Sequence, residues 1–180
     1  MTLRGLAVFA AVILAPAYAK ADVVDSAANG FTLKITLTVQ STPADVYKHL
    51  VHSVGEWWSS AHTYSGDAHN LSIDDKAGGC FCEKLANGGG VQHMVVANVL
   101  PGERLVLRGA LGPFQSMGTE GSMSIALSKD PAGTKMEVTF AVGGYMAGGM
   151  DKLAAPVNGV LTDQFTRLKN YVEHGNPAPK

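Results

Sequence analysis

The chain has 180 residues, 46% of them hydrophobic and 16% charged, with 21 glycines, whereas an average soluble domain carries about 25% charge and roughly 7% glycine. Lys and Arg number 14 against 15 Asp and Glu, a net charge of −1 with no block of like charge, so a nucleic-acid partner or an anionic membrane surface lacks its electrostatic footprint. A chain this apolar and this near neutral buries enough surface to escape disorder, and its length fits one domain.

Arg4, the apolar run from Leu6 to Leu14, and Pro16 ahead of Ala17-Tyr18-Ala19 read as a secretory signal cleaved after Ala19. The run is shorter than the roughly 20 apolar residues a spanning helix needs. No membrane span is expected, and the destination is periplasmic or secreted, where disulfides are permitted. Residues 20–30 are small and polar and are expected as a flexible lead-in. From Phe31 to Gln40 apolar and polar residues alternate, which predicts a half-buried strand. Thr42, Pro43 and Asp45 then make a helix start, and the stripe Val46, Tyr47, Leu50, Val51, Val54 carries that helix to about Gly55, with Asp45, His49, His52 and Glu56 on its solvated side. Beyond a polar loop, short strands are predicted over 71–73, 80–85, 91–100, 103–108, 121–129 and 134–142, the last two joined by the turn Asp130-Pro131-Ala132-Gly133. A glycine-rich passage, Gly143 to Gly149, precedes a helix with Val157, Val160, Leu161, Phe165, Leu168, Tyr171 and Val172 at helical spacing, Pro156 in its first turn and Gly175 at its end. Strands arriving in succession without intervening helices predict an antiparallel meander of the α+β class, curled around one amphipathic helix. The domain is expected over 31–174, with 175–180 as a tail.

Five segments in this order resemble the SRPBCC (START-like) superfamily: Thr42-Pro43-Ala44-Asp45-Val46-Tyr47, Glu56-Trp57-Trp58, Gly78-Gly79-Cys80-Phe81-Cys82-Glu83, Pro101-Gly102-Glu103-Arg104-Leu105, and Leu168-Lys169-Asn170-Tyr171-Val172. The similarity runs from about Phe31 to Glu173 and is nearest to bacterial proteins named for the activator of the heat-shock chaperone ATPase and to polyketide cyclase-like proteins. It implies a helix-grip fold, a curved antiparallel sheet of about seven strands around a long carboxy-terminal helix, enclosing an apolar cavity used for lipids, sterols or aromatic polyketides. The chaperone is cytosolic and this chain carries an export signal, so the activator's role does not transfer. Fold alone does not set function.

Trp57, Trp58, Tyr64, Phe81, Phe114 and Tyr145 are the aromatic candidates for such a cavity, with Gly143 to Gly149 as a gate. Phe81 and Glu83 share a strand face. With Phe81 inward, as the resemblance favours, Glu83 enters an apolar site where burial would raise its pKa and suit it to acid–base work. Its alternative is a surface residue paired with Lys84 or Arg108. His93 lies across a turn at Asn87-Gly88, and the register decides its partner: a type I′ turn with an unbroken ladder sets Cys82 opposite His93, whereas a one-residue bulge sets Glu83 there. Cys80 and Cys82, the two cysteines, would stand about 6.6 Å apart at an extended rise of about 3.3 Å per residue, at the edge of disulfide range. An internal bridge is therefore disfavoured; small buried thiols, an intermolecular bridge and a weak metal site with His93 stay open. His49 and His52 lie on the solvated helix face, and His62 and His69 in the polar loop. No nucleophile elbow, phosphate loop or dinucleotide fingerprint is present, and no cofactor is expected. The leading expectation is an exported binding protein for a hydrophobic or amphipathic small molecule, monomeric or weakly homodimeric. The other is a cyclase-, dehydratase- or hydrolase-type enzyme using Glu83 and His93.

Overall fold

Alternation dictates the middle of the sheet. In the computed structural model, which describes residues 20–178, Phe31, Leu33, Ile35, Leu37 and Val39 of β2 (Gly30–Val39) are all buried, while Lys34 faces solvent. The same period-two pattern buries Met123, Ile125 and Leu127 on β7 (Gly118–Asp130) and Met136, Val138, Phe140 and Val142 on β8 (Gly133–Tyr145). With β3 (Leu71–Ile73), β4 (Cys80–Lys84), β5 (Gly90–Leu100) and β6 (Arg104–Gly109) these form one open antiparallel sheet.

The sheet has eight strands instead of about seven, because residues expected as a lead-in form β1 (Lys20–Ala27). It pairs with β2 from Lys20 opposite Thr36 to Ala27 opposite Gly30, and the order is β1-β2-β8-β7-β6-β5-β4-β3. Residues 22–27 are exposed, so backbone hydrogen bonding along the edge of β2 makes this strand, with no buried face to announce it in the sequence. The secretory signal expected over residues 1–19 lies outside the described residues.

Helix α1 (Pro43–His52) starts as its sequence requires: Thr42 Oγ1 accepts the Asp45 N–H at 3.2 Å, with Pro43 in the first turn. It stops short of Gly55, since Ser53 leaves the helical region (φ −122°, ψ 25°) and Val54–Trp57 make a separate turn, α2. The last helix, α3 (Asp151–His174), begins six residues before Val157, so Pro156 sits inside it rather than in its first turn. Ala154, Leu161, Phe165 and Leu168 are its buried apolar contacts with the core, each large side chain worth about 1.5–3 kcal/mol of burial. Polar ties fix its position: Ser59 N–H donates to Gln164 Oε1 at 2.7 Å, Arg167 Nε to the Trp57 carbonyl at 2.9 Å, and Lys169 Nζ to the Thr38 carbonyl at 2.8 Å. Gly175 ends it with φ 69°, a left-handed cap whose N–H reaches the Tyr171 carbonyl.

The glycine-rich passage expected as a gate runs from the end of β8 to the start of α3. Gly143 and Gly144 belong to β8, the Gly144 N–H donates to Asn29, and the Met150 N–H to Ala28, which places the segment beside the β1–β2 turn. Among the described residues no helix is long and apolar enough to cross a membrane.

Candidate functional site

The turn between β4 and β5 forms as its residues require. Asn87 (φ 58°) and Gly88 (φ 78°) both have positive φ, and the Gly89 N–H donates to the Ala86 carbonyl at 3.2 Å. Below it neither expected register holds. Cys82 faces Gln92 and Glu83 faces Val91, but Phe81 faces Met94, so His93 is the extra residue of a β-bulge. The bulge turns His93 and Met94 to the interior in succession, at 4% and 1% exposure, where a regular strand would send one of them out. Gly109 lies opposite, and a Cβ there would stand 2.9 Å from the His93 carbonyl; its lack of a side chain is a requirement of the bulge that the sequence alone did not reveal.

The bulge therefore brings together the residues that the second expected register would have joined. Glu83 is buried, and its Oε2 lies 2.9 Å from His93 Nε2. Oε2 also accepts the Tyr64 N–H at 3.1 Å, and Oε1 accepts the Ser65 N–H at 2.5 Å. Burial by itself would raise the carboxyl, as the sequence led us to expect, but the hydrogen bonds from Ser65, Tyr64 and His93 outweigh it and hold Glu83 below its ordinary 4.5. Glu83 is an ionised acceptor and not a proton donor. Burial pushes His93 below its ordinary 6.5, which the Glu83 carboxylate only partly offsets, so the imidazole is neutral near pH 7. Its Nε2–H must face the carboxylate, leaving Nδ1 as a bare acceptor, and Nδ1 is buried with no hydrogen-bond partner.

Both shifts have one consequence for stability. The unfolded chain binds these protons more tightly than the folded one, so the contribution of His93 is complete above pH 6.5 and is lost as pH falls below that, and that of Glu83 is lost below 4.5 as pH falls through its folded value. We expect the melting temperature to decline from pH 7 toward pH 4, and His93→Phe to flatten the part of that decline beginning near 6.5. Thermal melts of both proteins across this range check it; an unchanged pH slope in the variant would contradict a neutral buried imidazole.

His93 lines a cavity of about 290 Å³ between the sheet and α3. Its walls are Trp58, Leu71, Phe81, Phe114 and Phe140, with Val157, Val160 and Leu161 from α3. The loops Ala61–Tyr64 and Leu111–Phe114 frame it, and the Tyr64 hydroxyl donates to the Gly112 carbonyl at 2.8 Å to tie the two together. Ring contacts run through the walls, Phe81 with His93 at 5.2 Å and with Trp58 at 5.6 Å between centroids, and Phe114 with Phe140 at 6.4 Å. Of the expected cavity residues, Trp58, Tyr64, Phe81, His93 and Phe114 are in place. Trp57 is not: it packs on Phe165 in the core and donates Nε1–H to the His49 carbonyl. Tyr145 is 76% exposed at the end of β8, because the alternation that buries Val142 breaks down at Gly143 and Gly144. Glu83 does not line the cavity but stands behind His93. Missed from sequence were the α3 valines, whose helical spacing reads as ordinary core, and Leu111, Gly112 and Pro113 ahead of Phe114, in a loop with no periodicity.

The cysteines also depart from expectation. Cys80 and Cys82 are disulfide-bonded, with Cα atoms 5.3 Å apart, well under the extended spacing. The shortening coincides with the bulge step between Phe81 and Cys82. Both point away from Phe81 and Glu83, so they form no metal set with His93, and among the described residues no cluster of three ligand types exists. The bridge closes so short a loop that the chain-entropy relation assigns it only about 1.5 kcal/mol. Urea unfolding of the double variant Cys80→Ser, Cys82→Ser should show a loss no larger than that; a loss of roughly twice as much would mean that the bridge also holds the bulge.

No family model matches this sequence, and neither does any curated protein. Solved structures do match. An uncharacterised protein from Rhizobium leguminosarum superposes with a TM-score of 0.60 at 18% identity, over 87% of this chain and 98% of that one. The fold is a helix grip. DynU16, a protein of the dynemicin biosynthetic locus, matches at TM-score 0.56 and 18% identity over 81% of this chain and 48% of its own. The Aha1 dimer from Colwellia psychrerythraea matches at 0.51 and 18%, over 80% and 97%. At these identities the likeness is one of fold, the SRPBCC-like arrangement of a curved sheet gripping its last helix.

Proposed function

We propose that the protein is an exported binding protein that holds a small hydrophobic or amphipathic molecule between its curved sheet and α3. The observation that carries this reading is the cavity, about 290 Å³, walled by aromatic and aliphatic side chains with the buried His93 among them. That volume is at the lower end of the about 300–1,000 Å³ of small-molecule pockets, which favours a compact aromatic, polyketide-like molecule over a lipid or a sterol. The place of DynU16 in a biosynthetic locus is in keeping with such a ligand. A monomer or weak homodimer is part of this reading, since the Colwellia neighbour is a dimer. Native mass spectrometry of the gently purified protein should show a small-molecule adduct. Protein that is always empty and takes up no added apolar probe would overturn the proposal.

A second reading, an acid–base enzyme, rests on the Glu83–His93 hydrogen bond at 2.9 Å. In that reading His93 Nδ1 removes a proton from the ligand and Glu83 is a positioning residue that fixes the tautomer and steadies the imidazolium. Turnover of the molecule identified in the adduct would favour it.

A further inference from the structure

Apart from the exposed His62, the polar side chains around the cavity are already committed, with one buried exception. Trp58 Nε1–H donates to the His62 carbonyl, Thr63 Oγ1 to the Ser60 carbonyl, and the Tyr64 hydroxyl to the Gly112 carbonyl. His93 Nε2 is occupied by Glu83, a residue outside the cavity wall, while His93 itself lines the cavity, so Nδ1 is its one uncommitted polar atom. Each oxygen of Glu83 already accepts a backbone N–H, which favours the ionised carboxylate, and an ionised carboxylate can only accept, so the imidazole gives it the Nε2 proton. No Lys, Arg, Asp or Glu lines the cavity and His62 in its lining is exposed, so no buried ion there compensates a charged ligand, and an uncompensated buried charge is strongly unfavourable.

Building on the ligand-cavity reading, we propose that the preferred ligand is a neutral aromatic molecule bearing a hydroxyl, bound with that O–H donating to His93 Nδ1. The dyad acts as a chemical filter. It rewards a phenol or alcohol, offers nothing to an ether or ketone of the same shape, which bring only acceptors, and disfavours the corresponding phenolate or carboxylate. Glu83 is the positioning residue: it touches no ligand, yet it sets the tautomer that makes Nδ1 an acceptor.

The probes are naphthalene, 1-naphthol, 1-methoxynaphthalene and 1-naphthoate, titrated against the full protein. The decisive quantity is the naphthol-to-naphthalene affinity ratio, compared between the wild type and His93→Phe so that differences in hydrophobicity cancel. One buried hydrogen bond corresponds to about a three- to tenfold fall in that ratio in the variant. The methoxy compound should show no change in its ratio to naphthalene, and naphthoate should bind more weakly than naphthol. Nitrogen-15 spectra of the wild-type imidazole provide a readout independent of variant folding: an unprotonated Nδ1 whose resonance moves with naphthol but not with naphthalene. A naphthol ratio that is the same in both proteins, or a free protein whose His93 carries its proton on Nδ1, overturns the inference while leaving the cavity intact. Failure of naphthalene itself to bind overturns the cavity reading and this inference with it.

Discussion

Glu83→Leu is expected to destabilise the protein by about 3–5 kcal/mol, a large share of the total stability of a domain this size. The substitution is close in volume and apolar, so packing is not the cause. The cause is that the Tyr64 N–H, the Ser65 N–H and the His93 Nε2–H all lose their acceptor, the first two in a part-buried place and the last in a buried one, at about 1–3 kcal/mol for each unmet donor, less whatever the loop recovers by opening to water. The loop bearing Tyr64 and Ser65 is also the cavity's frame, so ligand affinity should fall together with stability. Glu83→Gln keeps one oxygen acceptor and should lose less, roughly 1–3 kcal/mol. Urea unfolding midpoints of the two variants give the ordering. A leucine variant within about 0.5 kcal/mol of the wild type, the range of neutral surface changes, would show that the carboxylate organises nothing.

Val160→Phe is the second. Val160 is half-buried on α3 and faces the cavity, so the larger ring fills space where a ligand would sit. Adding volume to a packed core costs about 1–3 kcal/mol, but here the extra atoms enter a void, so stability should change by less than that. Affinity for naphthalene should drop by about tenfold to 100-fold, the equivalent of about 1.4–2.8 kcal/mol. Calorimetric titration with an accompanying melt separates the two effects. Unchanged affinity in a folded variant would place the binding site elsewhere.

Much of the fold was legible because it follows from periodicities that burial enforces. The alternation in β2, β7 and β8, the capped start of α1 and the stripe on α3 are each written in a few adjacent residues, and in each case the buried set is the set the pattern named. β1 was not legible for the converse reason: residues 22–27 are all exposed and the strand is held by backbone pairing, which leaves no trace in side-chain chemistry. The site was legible in part. Phe81, Glu83, His93, Trp58, Tyr64 and Phe114 could be named because aromatics and buried titratable groups are few, whereas Trp57 and Tyr145 were named by the same criterion and serve elsewhere.

The starting oddity, an apolar and sparsely charged chain rich in glycine, gave no electrostatic footprint for nucleic acid and no apolar run long enough for a spanning helix, and the order of its motifs pointed to the curved sheet and its gripped helix. What only the tertiary structure decided is the chemistry on β4 and β5, toward one edge of the sheet. Pairing registers are set by the ladder as a whole and by where it yields. A bulge at His93, accommodated by a glycine fifteen or so residues away in sequence and accompanied by a cysteine bridge on the outer face, turns a histidine inward onto a carboxylate. The direction of the Glu83 shift was likewise decided by a loop distant in sequence, through the Ser65 side chain and the Ser65 and Tyr64 N–H groups, whose approach no sequence pattern marks.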